Sequence, residues 1–254
     1  MSWKRVDPFS EEKGTVTRYG FSLSRGKNNC DFYTESQEDL ETWLDRLSSV
    51  AVMSDLNNDF EVLEEVGKGN HAAVYRGLSK HDGSQVAIKT ISKERIMQNF
   101  RSLQALFSEV WVMKHISHSR ITKLIGLYES ERELHLVLEY VSGGDLFQLL
   151  AAKGRYSEAQ AAKFMKRLLE ALEYMHGRGV VHRDLKPENI LLVEGSEGQE
   201  FKIADFGLAS EYHAGESMTL RCGSPGYVAP EILEKHPYDS KVDIFSAGIL
   251  MYIL

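Results

Sequence analysis

One cluster of residues in the sequence could hold a phosphate group through its backbone. It is the glycine-rich run Gly67-Lys68-Gly69-Asn70-His71-Ala72-Ala73-Val74, which stands between two strand-like segments. Glycines let the backbone approach phosphate oxygens closely, and N–H groups in such a turn can point at negative charge. A lone G-x-G is a weak signal, because an ordinary hairpin turn has the same composition. The predicted phosphate loop therefore needs support from other residues.

Lys89 gives that support. It ends the apolar run Val86-Ala87-Ile88-Lys89, downstream of the glycines. An ammonium group on an apolar strand is costly to desolvate unless an anion meets it. Two anions could do so: a bound phosphate, and the carboxylate of Glu109 in the next helical stretch. The sequence therefore predicts Lys89 and Glu109 as a phosphate-anchoring pair.

A second cluster combines two polar loops. His182-Arg183-Asp184-Leu185-Lys186-Pro187-Glu188-Asn189 forms the first loop, and Asp205-Phe206-Gly207 forms the second. Two short apolar runs between them, 190–193 and 201–204, predict a hairpin that fixes both loops. Because a hairpin brings its ends together, we expect the carboxylates of the two loops to converge.

The residue types in these loops suit phosphoryl chemistry. Asn189 and Asp205 offer the hard oxygen ligands that Mg²⁺ prefers. Asp184 would then be free to accept a hydroxyl proton, and Lys186 would add positive charge near the moving group. Each aspartate taken singly is more typical of an exposed turn, so the prediction depends on the whole arrangement.

The elements that must position these residues fall into two zones. Residues 60–89 and 124–140 have the pattern of strands, with a helical stretch over 99–116 between them. From Gly143 onward the pattern is helical, and Ser157 with Gln160 predicts a capping box at a helix that ends at Gly177. The predicted fold class is α+β, with two lobes: an antiparallel β lobe followed by a mostly helical one.

The first 50 residues form a separate zone. Tyr19–Ser24 and Cys30–Thr34 predict two strands. The apolar stripe of a following helix comprises Leu40, Trp43, Leu44 and Leu47. Two strands and one helix are too little to hold a core alone. This zone is either part of a truncated domain or docks on the strand-rich zone that begins near Phe60.

Composition excludes several classes of protein. With 254 residues, Lys+Arg 30 against Asp+Glu 37 and a net charge of −7, the chain lacks the basic surplus of a nucleic-acid binder. Its two cysteines, Cys30 and Cys222, indicate no disulfide framework and fit a reducing compartment, so the predicted location is cytoplasmic.

The C-terminal stretch predicts a buried helix. The apolar run Ile244–Leu254 is shorter than the roughly 20 residues needed to cross a bilayer. A chain that stops inside an apolar helix looks cut. We expect the following apolar residues to lack full cover there: Ile244, Phe245, Ile249, Leu250, Ile253 and Leu254.

Four ordered motifs carry a family resemblance. V-A-I-K at 86–89, H-R-D-L-x-x-x-N at 182–189, D-F-G at 205–207 and A-P-E at 229–231 resemble the signatures of eukaryotic protein kinases. The resemblance covers residues 60–254. Ala72 departs from it, because it replaces the third glycine of the family's phosphate loop.

The resemblance implies ATP and Mg²⁺ as cofactors. The residues implied to bind ATP are Val66, Gly67, Lys68, Gly69, Val74, Ala87, Lys89, Leu138, Glu139, Val141, Asp145 and Leu191. The implied catalytic residues are Asp184, Lys186, Asn189, Lys89 and Glu109, with Asn189 and Asp205 as the metal ligands. By the same resemblance Leu138 is the gatekeeper, Glu139 and Val141 belong to the hinge, and Asp145 lies near the ribose.

The resemblance also implies a substrate class. Lys186-Pro187-Glu188 resembles serine/threonine kinases, and residues 222–231 resemble the calcium/calmodulin-dependent group. Ser224 would lie beside the catalytic aspartate, and Glu188 implies protein substrates with basic residues upstream of the target hydroxyl. A tyrosine or dual-specificity kinase, and an ATP-binding scaffold inactive through truncation, remain as alternatives. Calmodulin is implied only for a longer chain.

Two further expectations concern regulation and the N-terminal zone. Arg183 beside Asp184 predicts control by phosphorylation of the following loop, at Thr219 first and Ser217 second. The alternative is that both are solvated loop hydroxyls. Residues 1–53 resemble the last part of a pleckstrin-homology domain, ahead of a kinase domain at 54–254. The part of such a domain that grips phosphoinositides is not in the chain, so we expect no lipid binding.

Overall fold

The computed structural model describes residues 2–10, 17–25, 28–48, 52–68, 72–98, 100–213 and 215–254. The chain divides into two compact units. Unit 1 comprises residues 1–98 and 124–140, and unit 2 comprises residues 99–123 and 141–254. Each is described by itself.

Unit 1 is built on strands. Its strands are β1 (Ser2–Ser10), β2 (Thr17–Arg25), β3 (Asn28–Thr34), β4 (Val52–Met53), β5 (Phe60–Lys68), β6 (Ala72–Ser79), β7 (Gln85–Ser92), β8 (Leu124–Glu129) and β9 (Glu133–Glu139), and its helices are α1 (Gln37–Ser48), α2 (Leu56–Asp59) and α3 (Lys93–Met97). In the described part of the unit these strands form one sheet in the order β3-β2-β1-β4-β8-β9-β7-β6-β5. The pairs from β5 to β9 are antiparallel, as the sequence predicted.

The N-terminal strands join the rest of the sheet through β4. This short strand runs parallel to both of its neighbours, pairing Met53 with Tyr128 of β8 on one side and Trp3 of β1 on the other. Beneath this junction a single buried cluster unites both parts of the unit: Phe21, Leu40, Leu44, Met53, Leu56, Phe60, Val86, Ile88, Tyr128 and Val137. The N-terminal zone therefore docks on the strands of the β5–β9 sheet.

A buried carboxylate reinforces the junction. Asp59 is 8% exposed, and its Oδ2 accepts a hydrogen bond of 2.9 Å from the Tyr128 hydroxyl. Its Oδ1 lies 2.9 Å from Nε2 of His81. A buried carboxylate needs such partners to offset its desolvation. These contacts tie the end of α2 to β8 and to the turn after β6.

The N-terminal zone differs from the prediction in two respects. Strand β1 was not predicted, because its sequence, with Asp7 and Pro8 in the middle, lacks a clear alternating pattern. Trp43 was placed on the buried stripe of α1, but it is 53% exposed while Leu40 and Leu44 are buried. The stripe toward the sheet is thus narrower than the periodicity suggested.

Unit 2 is mainly helical. Its helices are α4 (Phe100–His115), α5 (Leu146–Lys153), α6 (Glu158–Gly177), α7 (Pro230–Leu233) and α8 (Lys241–Ile253), and its short strands are β10 (Val180–Val181), β11 (Ile190–Leu192), β12 (Phe201–Ile203) and β13 (Ser210–Glu211). The predicted hairpin is confirmed, since β11 and β12 pair antiparallel. The predicted capping box at Ser157 and Gln160 is also present.

Helix α8 is only partly covered. Ile244 is 45% exposed and Phe245 is 40% exposed, in line with the expectation from the sequence. The expectation is wrong for Leu250 and Leu254, which are 0% and 7% exposed. These two side chains turn toward the interior of unit 2, because they lie in line with the buried residues Asp243 and Ala247 of the helix. No helix in the described ranges is long and apolar enough to span a membrane.

Candidate active site

The predicted nucleotide-binding residues of unit 1 share one face of the sheet. Val74 on β6 pairs with Lys89 on β7, and Lys89 pairs in turn with Leu136 on β9. Ala87, two residues before Lys89, pairs with Leu138. Since side chains alternate along a strand, the side chains of Val74, Ala87, Lys89 and Leu138 all point to the same side. Three non-adjacent stretches of sequence thus supply one surface.

The predicted phosphate loop is described only in part. Val66, Gly67 and Lys68 form the end of β5, where Gly67 pairs with Val74 and Val66 is 48% exposed. Gly69 lies outside the described residues. At the other end of the face, Glu139 closes β9, and the chain passes from unit 1 to unit 2 between residues 140 and 141, so Val141 belongs to unit 2.

The Asp184 carboxylate lies at the centre of a hydrogen-bond network in unit 2. It is 8% exposed, and Oδ1 accepts a bond of 2.7 Å from the Ser224 hydroxyl. Oδ2 accepts bonds from Lys186 Nζ at 2.8 Å and from Asn189 Nδ2 at 3.2 Å. Lys186 Nζ also donates to the Ser224 hydroxyl at 2.8 Å. Four predicted residues are therefore in direct contact, and both carboxylate oxygens have a fixed direction.

The loop that carries Asp184 is held by a second, fully buried carboxylate. Asp243 of α8 accepts the backbone N–H groups of His182 and Arg183 at 2.9 and 2.8 Å. His176 Nε2 lies 2.8 Å from the same side chain. Arg183 has a positive φ of 65°, which is uncommon for a residue other than glycine. The Asp243 contacts thus stabilise a backbone conformation that the loop would not otherwise prefer.

Asp205 and Glu109 come together around Gly207. A methyl group placed on Gly207 would lie 3.3 Å from Asp205 Oδ1 and 3.7 Å from Glu109 Oε2. Asp205 itself is exposed and has a φ of 60°. The strand hairpin links this loop to the first one, because the N–H of Ala204 donates to the carbonyl of Asn189 at 2.9 Å. The backbones of the two loops are therefore joined at Asn189 and Ala204, and the convergence of the Asp184 and Asp205 carboxylates stays a prediction.

The donor set of this region fits Mg²⁺. Both hydrogen bonds of the Asn189 side chain use Nδ2, which donates to the carbonyl of Asp184 at 2.8 Å and to its carboxylate. The amide oxygen of Asn189 would then be the atom that meets the metal. Together with the exposed carboxylate of Asp205 it offers the oxygen donors that Mg²⁺ takes alongside phosphate and water.

Two other predicted nucleotide residues lie side by side in unit 2. Asp145 forms a bridge with Leu191 of β11. Its carboxylate caps helix α5 by accepting the N–H of Gln148 at 2.8 Å. A cap uses one carboxylate oxygen and leaves the other for a ligand hydroxyl. Lys89, with the rest of its face, belongs to unit 1 and Glu109 to unit 2, so the predicted pairing of these two residues stays a prediction.

Arg183 is buried and bonded to neutral groups. Its Nε donates to the carbonyl of Leu208 at 2.8 Å, and Nη1 donates to the hydroxyl of Tyr238 at 3.3 Å. That hydroxyl donates to the carbonyl of Leu220 at 2.6 Å. Burial raises the pKa of the Tyr238 phenol. The predicted phosphorylation sites, Thr219 and Ser217, are both exposed.

Comparison with models of known protein families identifies the family of this chain. The model for the protein kinase domain matches residues 60–254. The chain belongs to the protein kinase family. The matched range contains both polar loops and strands β5 to β9, so the kinase domain accounts for most of the chain.

This kinase domain is similar to several curated proteins. It is 43% identical over 202 residues to a probable myosin light chain kinase of Dictyostelium discoideum, covering 79% of this chain and 51% of that protein. It is 44% identical over 195 residues to probable serine/threonine-protein kinase 2 of Plasmodium falciparum, covering 77% and 37%. It is 38% identical over 208 residues to calcium/calmodulin-dependent protein kinase type 1 of Caenorhabditis elegans, covering 82% and 59%. The chain thus spans about half the length of the first relative and less of the second.

The predicted α+β protein-kinase fold is confirmed. The relatives include a protein named as a serine/threonine-protein kinase, in agreement with the predicted class. The position predicted for Ser224, beside Asp184, is also observed. Two residues of the kinase site were missed. Tyr238 contacts Arg183, and Ser108 contacts the loop after Asp205, but neither belongs to a motif whose spacing could have indicated it.

Proposed function

We propose that the kinase domain transfers the γ-phosphoryl group of Mg·ATP to serine or threonine hydroxyls of protein substrates. The observation that carries this proposal is the Asp184 network. A buried carboxylate with donors from Lys186, Asn189 and Ser224 has its orientation set before any substrate binds. Phosphoryl transfer depends mainly on such positioning and on charge stabilisation.

Each unit offers residues of its own for the nucleotide. Val74, Ala87 and Leu138 offer an apolar face for adenine in unit 1, and Lys89 on the same face would bind phosphate oxygens. Asp145 and Leu191 of unit 2 would meet the ribose and the ring. Asn189 and Asp205 would ligate Mg²⁺ through their side-chain oxygens.

The chemistry of the chain's own residues is determined by their contacts. The substrate hydroxyl would form a bond to the γ-phosphorus as the bond to the β–γ bridging oxygen breaks, and ADP would leave. Asp184 would take the hydroxyl proton. Lys186, which donates to Asp184, would balance charge on the transferred group. Mg·ATP supplies the phosphoryl group and neutralises charge on its phosphates when it is bound.

Serine and threonine are the proposed acceptors for two reasons. The relatives include a protein named as a serine/threonine kinase. Ser224 also donates to the Asp184 carboxylate, at the position that the resemblance to serine/threonine kinases implies for a serine or threonine. The tyrosine or dual-specificity alternative predicts phosphotyrosine in the product.

Basic substrates are part of the proposal. Glu188 is exposed and follows Lys186 by two residues. The pKa of the nearby Tyr227 phenol is raised first by burial and second by the negative charge of Glu188. This carboxylate is available to a lysine or arginine of a peptide. A calmodulin interaction is proposed only for a longer chain, on the name of the Caenorhabditis relative. The pleckstrin-homology-like nature of residues 1–53, the absence of lipid binding and the cytoplasmic location remain predictions.

Thr219, followed by Ser217, is the proposed regulatory phosphorylation site. Both hydroxyl-bearing residues are exposed, and the Arg183 guanidinium, which is buried and donates to the neutral oxygens of Leu208 and Tyr238, would gain from an anion. Mass spectrometry of the active protein is expected to find phosphate at Thr219. Full activity with both residues unmodified would overturn this proposal.

The test of the proposed function is phosphate transfer from γ-labelled ATP to basic and acidic peptide libraries. We expect Mg²⁺-dependent labelling of serine and threonine, with a preference for basic peptides. Asp184→Asn keeps the size of the side chain but removes the base, and it should lower the rate by about 10²–10⁴-fold. Glu173→Gln, which changes an exposed acid of α6, is the matched control. ATP binding without labelling in the wild type would instead identify a nucleotide-binding scaffold.

A further inference from the structure

A hydroxyl of helix α4 is bonded to the segment just after Asp205-Phe206-Gly207. Ser108 Oγ donates to the backbone carbonyl of Ala209 at 3.0 Å, across 101 positions of sequence. Both residues belong to unit 2. A serine inside a helix commonly bonds the carbonyl of its own preceding turn. Ser108 instead reaches out of its helix to another segment.

The position of this hydrogen bond in the chain connects two predicted functional residues. Ser108 directly precedes Glu109, and Ala209 closes a turn in which its N–H donates to the carbonyl of Phe206 at 3.0 Å. Gly207, inside that turn, is the point around which Glu109 and Asp205 converge. The Ser108 bond therefore fixes the helix that carries one carboxylate to the turn that carries the other.

The turn needs such fixing because its backbone is strained. Asp205 has a φ of 60°, a left-handed conformation that persists in a non-glycine residue only where the surroundings hold it. Arg183 holds one side of the turn by donating to Leu208 at 2.8 Å. Ser108 holds the next carbonyl from the direction of α4.

We propose that Ser108 is a positioning residue for phosphoryl transfer, which keeps the Asp205 carboxylate in place beside Glu109. The inference rests on the proposed function. Without the hydroxyl, a smaller fraction of the molecules would have the turn in the conformation that binds Mg²⁺. The apparent affinity for Mg²⁺ would fall in proportion to that population. Ser108 itself touches neither the nucleotide nor the substrate in this mechanism.

The experiment compares Ser108→Ala with Ser108→Thr, which retains the hydroxyl. The control is Ser102→Ala, at a half-buried serine of the same helix. A neutral hydrogen bond of ordinary net strength corresponds to about a three- to tenfold change in an equilibrium constant. We expect Ser108→Ala to raise the Mg²⁺ concentration for half-maximal rate, and to lower kcat/KM for Mg·ATP, by about that factor. Ser108→Thr and Ser102→Ala should stay within about twofold of the wild type, because neither removes the bond to Ala209.

A second readout does not depend on turnover. Hydrogen exchange of amides 206–211 should be faster in Ser108→Ala than in Ser102→Ala. The free energy of global unfolding should not fall, because alanine is a better helix former than serine. Unchanged exchange and unchanged Mg²⁺ dependence in an active Ser108→Ala protein would overturn the inference. So would a general loss of stability with the Mg²⁺ dependence intact.

The two proposals fail in different ways. If the wild type transfers no phosphate but Ser108→Ala still speeds exchange at 206–211, the contact is real and the proposed function is wrong. If the wild type is active and Ser108→Ala matches it in rate, Mg²⁺ dependence and exchange, the function stands and Ser108 has no positioning role.

Discussion

At the scale of single residues, the site shows how neighbours give an ordinary side chain a defined role. The Asp184 carboxylate has donors on both oxygens, and the Asn189 side chain donates to Asp184 through Nδ2, so its amide oxygen is the atom that would meet a metal. The motif predicted both residues, but it could not predict the direction of the amide. That direction comes from a contact rather than from residue type.

Tyr156 provides a prediction at the same scale. Its hydroxyl donates to the carbonyl of Gly198 at 2.7 Å, and burial raises the pKa of the phenol to about 12 from 10.0. In the unfolded chain the phenol ionises near its ordinary pKa, whereas in the folded protein it keeps its proton to higher pH. Its contribution to stability is therefore complete below about pH 10 and is lost as the pH rises toward about 12.

The measurement is urea unfolding of the wild type and Tyr156→Phe at about pH 8 and about pH 10.8. The variant loses the hydroxyl and its hydrogen bond, so it should be less stable at the lower pH, and the difference should shrink at the higher one. Other tyrosines and lysines titrate in both proteins and cancel in the comparison. A difference that stays constant or grows with pH would contradict the prediction.

At the scale of elements, local signals were reliable and long-range ones were not. The capping box, the period of α6 and the β11–β12 hairpin depend on residues close in sequence, and the prediction of each is confirmed. Strand β4 has only two residues, and its parallel partners lie far away in the sequence, so no local pattern indicates it. The exposure of Trp43 depends on tertiary packing rather than on periodicity, because α1 packs against β2 and β3 with Leu40 and Leu44 buried and Trp43 53% exposed.

Helix α6 gives the element-scale prediction. The Ser157 hydroxyl accepts the N–H of Gln160 at 3.3 Å, and the Gln160 side chain accepts the N–H of Ser157 at 3.0 Å. Ser157→Ala leaves one of these N–H groups without its partner, which should cost about 1 kcal/mol. Urea denaturation measures this cost. Ser119→Ala, at an exposed serine outside any helix, should be within about 0.5 kcal/mol of the wild type, and equal losses in both variants would refute the assignment.

At the scale of the whole molecule, the N-terminal zone could be part of a truncated domain or could dock on the rest of unit 1. The sequence left both possibilities open. The structure places Phe21, Leu40 and Leu44 in the same buried cluster as Phe60 and Tyr128. A methyl group added to Gly126 of β8 would come within 2.6 Å of Met53 Cε on β4, where the N-terminal strands meet the β5–β9 strands. The two parts therefore share one core.

A shared core predicts that damage at the junction spreads to both sides of it. Met53 is 7% exposed, and Met53→Ala should destabilise unit 1 by about 2–5 kcal/mol, whereas Met97→Ala, at a methionine that is 78% exposed, should have little effect. Hydrogen exchange followed by mass spectrometry separates the two arrangements. If the core is shared, protection falls together in strands β2 and β3 and in strands β7 to β9 of the Met53→Ala protein. If protection falls in β2 and β3 alone, the N-terminal zone is an independent unit, and its burial against β8 contributes nothing to the stability of the kinase sheet.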